Sequence, residues 1–295
     1  MTAATLARAR RRVRPGRILL HGFLIVTAAI WLFPLLWAIY TSFRPYSDTL
    51  RNGYVSLPST LNIDNFANAW NQAELPHFYL NTLIVAVPAV ILTLFLASMV
   101  AFAVARFSFR FNLALLMLFT AGNLLPPQVL IVPLYRLYLL LPIPAPLSDN
   151  GYLYDQYLGI IVIHVAFQTG FAVFVLSNYM RTLSKELTEA ALVDGAPVWA
   201  IYRRVILPLC KPALAALATL QFTWIYNDFF WALLLMKSGD KRPITSALNN
   251  LQGQFFTNNN LLAAGALLVA VPTIIVYFAL QRQFIRGLTL GSTKG

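Results

Sequence analysis

Charge is scarce in this chain, and negative charge most of all. Ten acidic residues stand against 22 basic ones in 295, and the charged types together make up only 11% of the sequence while apolar types make up 59%. Soluble domains carry about 25% charged residues, so this composition and the positive mean hydropathy place the chain in a lipid bilayer. The single cysteine, Cys210, excludes an intrachain disulfide and, with no Cys or His beside it, offers no metal site. There is no Gly-x4-Gly-Lys-Ser/Thr phosphate loop; Gly291-Ser-Thr-Lys294 has the wrong order and no strand before it. No Ser/His/Asp spacing or paired carboxylates within one compartment mark a catalytic site, so no catalytic residue is assigned.

What is present is a series of long uncharged runs. They cover residues 18–43, 78–105, 111–135, 156–180 and 261–281, and a sixth, 212–236, is interrupted only by Asp228. Each matches the ~20 residues that cross ~30 Å of hydrocarbon as a helix. The expectation is therefore an all-α polytopic membrane protein with six transmembrane helices and both termini on one side. A cytoplasmic N-terminus puts 16 of the 22 basic residues inside, among them Arg8, Arg10, Arg106, Arg181, Lys185 and Arg203. The net charge of +12 is then mostly a topology signal. Nucleic acid is not an expected partner, because these arginines flank apolar spans and no basic groove is interleaved with aromatics. Residues 1–17 form a basic cytoplasmic start, and the first run is too long for a cleaved signal peptide and lacks a small-x-small cleavage site.

Prolines punctuate the runs at Pro34, Pro88, Pro126, Pro127, Pro133 and Pro272, where each removes a backbone donor and favours a kink. Two loops, 44–77 and 237–260, lie on the outer side. The first contains Leu61-Asn-Ile-Asp-Asn-Phe66, which suits a short helix lying at the interface.

Between the fourth and fifth runs, residues 181–211 form a polar hairpin. Ser184 suits an N-cap, residues 185–193 a short helix, and Asp194-Gly195 its stop, since glycine takes the left-handed conformation that ends helices. Pro197 then opens a second helix. Helices this short need a surface to lean on in water. Leu183, Leu187, Ala190 and Ala191 make a narrow apolar stripe, with Lys185, Glu186 and Glu189 facing elsewhere. The residues alone leave two options open, docking into an external groove and packing beneath the chain's own membrane helices.

Within the spans, Asp228 stands out because an unpaired intramembrane acid is expensive. With Asn227, and with Trp224 or Tyr226 as a stacking face, it suits recognition of sugar hydroxyls; a hydrogen-bonded lock between helices, or an outer gate, is the commoner use of such a group. Asn123, Gln128, Gln168 and Thr169 suit a polar path through the third and fourth spans, or ordinary interhelical hydrogen bonds. His21 and His164 have no carboxylate near them in sequence, which argues against a proton relay.

The run Glu189-Ala-Ala-x3-Gly195-x9-Val205-x-Leu207-Pro208 resembles the EAA loop of ABC importer permeases, with valine at Val205 where isoleucine is usual. Leu124-Leu-Pro-Pro-Gln-Val-Leu-Ile-Val-Pro-Leu134, Trp224-Ile-Tyr-Asn-Asp-Phe229 and the ending Arg286-Gly-Leu-Thr-Leu-Gly-Ser-Thr-Lys-Gly295 are similar to the second permease of carbohydrate importers of the maltose type. The resemblance implies a type I importer permease fold over residues 18–286, in which Leu187, Glu189, Ala190, Ala191, Asp194 and Gly195 form a coupling helix seated in a separate ATPase. It further implies a cytoplasmic tail, 287–295, that reaches between two ATPases through Gly287, Thr289, Gly291 and Lys294. ATP and magnesium would be bound by those ATPase subunits and not by this chain. The other implied partners are a homologous second permease and an extracytoplasmic solute-binding protein. The substrate would be a di- or oligosaccharide, with another solute such as glycerol phosphate as the alternative. An ion-coupled secondary transporter would need several intramembrane ion sites, and only Asp228 is offered.

Overall fold

Helices laid side by side account for nearly all of the structure, a computed structural model that describes residues 15–122, 125–252 and 257–289. Four helices are long and apolar enough to cross a membrane: α1 (Pro15–Ser42), α4 (Leu75–Arg106), α7 (Tyr157–Thr182) and α13 (Asn259–Thr289). Short helices α2 (Tyr46–Asn52) and α3 (Asp64–Gln72) fill the first loop, so the Leu61–Phe66 segment does lead into a short helix. Helices α5 (Asn112–Ala121) and α6 (Ile131–Leu140) lie between α4 and α7.

The second half is more broken. After α7 come α8 (Glu186–Val193), α9 (Val198–Ala200), a π-helical stretch Ile201–Ile206, and α10 (Leu207–Leu209). The chain bends by 73° at Cys210 into α11 (Lys211–Tyr226), with Pro208 and Pro212 on either side of the elbow. Helix α12 (Phe230–Leu235) follows.

Two of the six expected spans are therefore not single helices. Over 111–135, α5 ends at Ala121 and a 3-10 turn, Pro127–Leu130, precedes α6. The adjacent prolines Pro126 and Pro127 withhold two amide donors, which an α-helix cannot absorb in its interior. Over 212–236, α11 ends at Tyr226, where the Asn227 side-chain amide donates to the Thr223 carbonyl at 2.8 Å. By contrast Pro34, Pro88 and Pro272 sit inside continuous helices, so the kinks expected there do not break them.

Packing is arranged in three clusters stacked along α4. At the Arg106 end, Ala97, Ala101 and Phe102 meet Leu176 and Met180 of α7 and Ile201, Ile206 and Cys210. In the middle, Val85, Ala86 and Ala89 meet Ile160, Ile163 and Trp231. At the other end, Leu75 and Phe78 meet Tyr226, Ile244, Leu261 and Ala264. The alanines let helix axes approach closely, the usual device between helices that share an apolar solvent. Gly159 serves the same end: a Cβ there would lie 2.6 Å from the Leu153 carbonyl oxygen. Helix α1 leans on α13 and leaves Leu19, Phe23, Ile30 and Trp31 exposed.

A buried polar knot closes the end opposite Cys210. Arg44 is almost fully buried and pairs with Asp48 at 2.5 Å. Its guanidinium also donates to the Gly53 carbonyl at 2.9 Å and to Ser56 Oγ at 2.6 Å. The Arg44 carbonyl accepts from Asn65 of α3 at 2.8 Å and from Asn260 of α13 at 2.9 Å. Hydrogen bonds from Ser59 and Arg44 hold the Asp48 carboxyl down at about 2, from an ordinary 3.8. A carboxylate held low stabilises the fold at any pH above its unfolded value and loses that contribution as pH falls through the folded one. The knot should thus weaken between about pH 4 and pH 2. Hydrogen-exchange protection of residues 45–62, taken relative to the intrinsic rate at each pH, should fall over that window in the wild type, and Asp48→Asn should show low protection already at pH 7 with the acid step gone.

Candidate functional site

Two places hold most of the residues that the sequence singles out, the hairpin after α7 and the end of α11. Helix α8 starts where Ser184 Oγ accepts the Glu186 amide at 3.2 Å. It stops in a Schellman cap, the Gly195 amide donating to the Leu192 carbonyl and the Ala196 amide to the Ala191 carbonyl, both at 3.0 Å. Gly195 has φ 76°, a region that costs an L side chain about 1 kcal/mol or more. Pro197 stands just ahead of α9 and not inside its first turn.

The hairpin has an inner and an outer face. Thr188 is buried, and Leu183, Ala191 and Ala196 pack on the core around Met180, Ile201 and Ile206. Leu187, Ala190 and Asp194, spaced i, i+3, i+7 on one side of α8, are exposed. Val193 is 87% exposed, and Val198 and Trp199 beside it are about half so. The stripe expected over Leu183, Leu187, Ala190 and Ala191 is split between these faces: one edge packs under the membrane helices and the other is exposed. Glu189 is exposed on a third side, in line with Lys185, Thr188 and Leu192.

At the other place, α7 and the α11–α12 junction form a cleft of 240 Å³ lined by His164, Gln168, Phe171, Trp224, Asp228 and Trp231, with Leu125, Pro127 and Phe167 at its margin. His164 Nε2 lies 3.6 Å from Asp228 Oδ2, both side chains being at least nine-tenths buried. A histidine that has no carboxylate near it in sequence is thus given one by the fold. The separation is too long for a hydrogen bond, and His164 Nε2 and Gln168 Oε1 are buried without a partner. Asp228 also caps α12, its two oxygens accepting the Trp231 and Ala232 amides at 3.3 and 3.2 Å. The helix-locking use of this acid is present, then, and it coexists with a place in the cleft wall.

Other expected path residues are placed differently. Tyr226 is buried on the far side of α11, its hydroxyl donating to the Val269 carbonyl of α13 at 2.8 Å, so it is no stacking face for the cleft. Asn227 closes α11 as described. Gln128 is exposed on the 3-10 turn and does not line the cleft, and Thr169 donates to the Val165 carbonyl of its own helix at 2.6 Å. Trp224 does line it, edge-on to Phe171 with ring centres 5.3 Å apart. Asn123 lies outside the described residues, as do Gly291 and Lys294. The backbone of Gly287 and Thr289 continues α13, so the expected tail begins as helix. His164, Phe167, Phe171 and Trp231 are not among the expected path residues, yet His164, Phe167, Gln168 and Phe171 fall at i, i+3, i+4, i+7, a spacing that marks one helix face.

Residues 93–290, which include both the hairpin and the cleft walls, match the family model described as binding-protein-dependent transport system inner membrane component. The chain belongs to that family. This permease is 34% identical over 281 residues to the arabinooligosaccharides transport system permease protein AraQ of Halalkalibacterium halodurans, covering 94% of this chain and 96% of that one. It is 33% identical over 260 residues to a probable ABC transporter permease, PH1036, of Pyrococcus horikoshii, covering 88% and 91%. Its fold matches a chain in the crystal structure of a bacterial ABC transporter involved in import of the acidic polysaccharide alginate, with TM-score 0.78, 21% identity, and coverage of 93% and 98%. The permease is a multi-pass membrane protein and a transport component. In it, Asp228→Ala should lower stability by about 1 kcal/mol through loss of the α12 cap. Asp228→Asn, which keeps one acceptor, should cost less, as read by thermal unfolding in detergent.

Proposed function

We propose that this permease carries a carbohydrate across the cytoplasmic membrane as one of two homologous permease subunits, with α8 as the coupling helix that engages a separate ATPase. The observation that carries this reading is the hairpin: a helix too short to stand alone in water, fixed on its inner edge by the protein's own core and capped at Gly195, yet bare along Leu187, Ala190 and Val193. An apolar edge presented by a rigid short helix is what a groove in a soluble partner would accept.

Six crossings follow if α5 and α6 together make the third span and the bent α9–α11 unit with α12 makes the fifth. Helix α5 alone has 10 residues, or about 15 Å, half of the hydrocarbon. In this orientation both termini and the α8 hairpin are cytoplasmic, in keeping with the distribution of arginine and lysine. ATP and magnesium then act on the ATPase subunits, and their binding supplies the difference in affinity between inward and outward states that the sugar itself need not provide. An extracytoplasmic binding protein delivers the substrate.

The carbohydrate assignment is supported by AraQ and the alginate importer among the similar proteins and by the chemistry of the α7–α11 cleft. Carboxylate, imidazole and amide groups beside two indoles suit hydroxyls and the apolar face of a sugar ring. At 240 Å³ the cleft is below the roughly 300 Å³ where drug-sized ligand sites begin, so it serves as one wall of a path and not as an enclosure.

In proteoliposomes holding the permease, its partner permease and the ATPases, sugar uptake should require ATP and survive a protonophore. Gly195→Ala and Glu189→Ala should each lower uptake several-fold while membrane insertion is unchanged and ATP hydrolysis continues. Uptake that runs without ATP and collapses with the proton gradient would instead favour ion coupling through the His164–Asp228 pair.

A further inference from the structure

Among the described residues, one carboxylate and no guanidinium or ammonium group line the α7–α11 cleft. That imbalance bears on which sugars the cleft can admit. Over residues 157–180 and 212–236, the stretches that supply α7, α11 and α12, there is no lysine or arginine, and Asp228 is the one acid. Arg136, the basic residue of α6, is not part of the cleft wall.

The fold places the Asp228 charge where water screens it poorly. Its side chain is nine-tenths buried, and both oxygens act as acceptors, for the Trp231 amide at 3.3 Å and the Ala232 amide at 3.2 Å. In such a setting a charge acts over several ångströms without contact. The His164 imidazole, 3.6 Å from Oδ2, is the one group in the described wall that can become positive, and any charge it gains is offset by Asp228 itself. Gln168 and the indoles of Trp224 and Trp231 are neutral.

A ring hydroxyl and a ring carboxylate meet this wall differently. Each Asp228 oxygen accepts one amide and has lone-pair capacity left, so a hydroxyl can donate to it; a carboxylate is acceptor-only and has nothing to donate. The acidic ring would also give up hydration with no cation to replace it. Phe167, Phe171, Trp224 and Trp231 suit the apolar face of either ring, so the aromatic part of the wall does not discriminate. Charge does.

We propose that Asp228 is a specificity-determining residue that makes the cleft a charge filter, admitting neutral sugar rings and rejecting uronic acids. The proposal rests on the carbohydrate reading and narrows it.

The test uses the complete complex, with partner permease and ATPases, in nanodiscs and without a binding protein, whose own selection would mask that of the cleft. Saturation-transfer NMR titrations compare neutral trisaccharides of glucose, arabinose and N-acetylglucosamine with a trisaccharide of mannuronic acid. At least one neutral probe should bind, and the acidic one at least about tenfold more weakly. Trp224→Ala should weaken the neutral probe about tenfold, which ties the signal to this cleft. Asp228→Asn, which keeps an acceptor oxygen, should narrow the gap between neutral and acidic probes to within about threefold. Gln168→Lys adds a cation while leaving the α12 cap untouched, and should reverse the order, so the proposal stays testable if Asp228→Asn fails to assemble. Equal binding of acidic and neutral probes by the wild type, a gap unchanged in both charge variants, or neutral binding indifferent to Trp224→Ala would overturn the filter and leave the carbohydrate reading standing. Binding of none of the four probes would count against the carbohydrate reading itself, and the filter would fall with it.

Discussion

A helix that ends in or beside lipid frees amides and carbonyls that no water can satisfy, and that constraint organises this structure more than any other. Several of the described breaks are met by a polar side chain, often sent across from a neighbouring element. Asp228 takes the freed amides of α12. Asp155 takes the Lys237 and Ser238 amides after α12, both at 2.9 Å. Asn81 of α4 donates to the Asp240 and Arg242 carbonyls, and Thr82 accepts the Ile244 amide at 2.7 Å. Arg106 does the same for the carbonyls that follow α7, and Arg44 for the loop after α2. Polar residues that look isolated in sequence are thus fastenings, and the apolar clusters along α4 can form because these fastenings let the chain turn.

The same constraint shapes the hairpin. Its inner edge is joined to α4 through Arg106 and to the core through Ala191 and Ala196, so α8 is part of the membrane body and not a tethered appendage. A push on its outer edge reaches the ends of α4 and α7 through hydrogen bonds and packed side chains. On the proposed reading, in which the motor is a different polypeptide, this is a sound arrangement, since the contact must transmit displacement without dissipating it in a flexible linker. The π-helical stretch at Ile201–Ile206 and the elbow at Cys210 lie next along the chain toward α11 and the cleft.

How far the sequence discloses this depends on the range of the interaction concerned. The long helices α1, α4, α7 and α13 are legible because uncharged runs of span length leave few alternatives, and the Gly195 stop is legible because a left-handed residue after a short helix has a local signature. The third and fifth runs are broken for a shared reason. Absence of charge reports solvent, not continuity, and Pro126-Pro127 and the Asn227 turn break helices without adding charge. The pairing of His164 with Asp228 could not be read from proximity along the chain, since it is made between α7 and the α11–α12 junction. Of the two candidate stacking faces only Trp224 meets the cleft, because neighbours on a helix point in different directions and the consecutive residues Trp224 to Phe229 do not form one surface.

Cys210 sits fully buried at the elbow between α10 and α11, and it is the chain's sole thiol. Shielded sulfur of this kind reacts slowly with alkylating reagents. The native protein is therefore a ready background for attaching spin labels or fluorophores at introduced surface cysteines. With one on α8 and a second elsewhere on the bundle, distances between them become measurable through a working cycle without first rebuilding the elbow around a replaced residue.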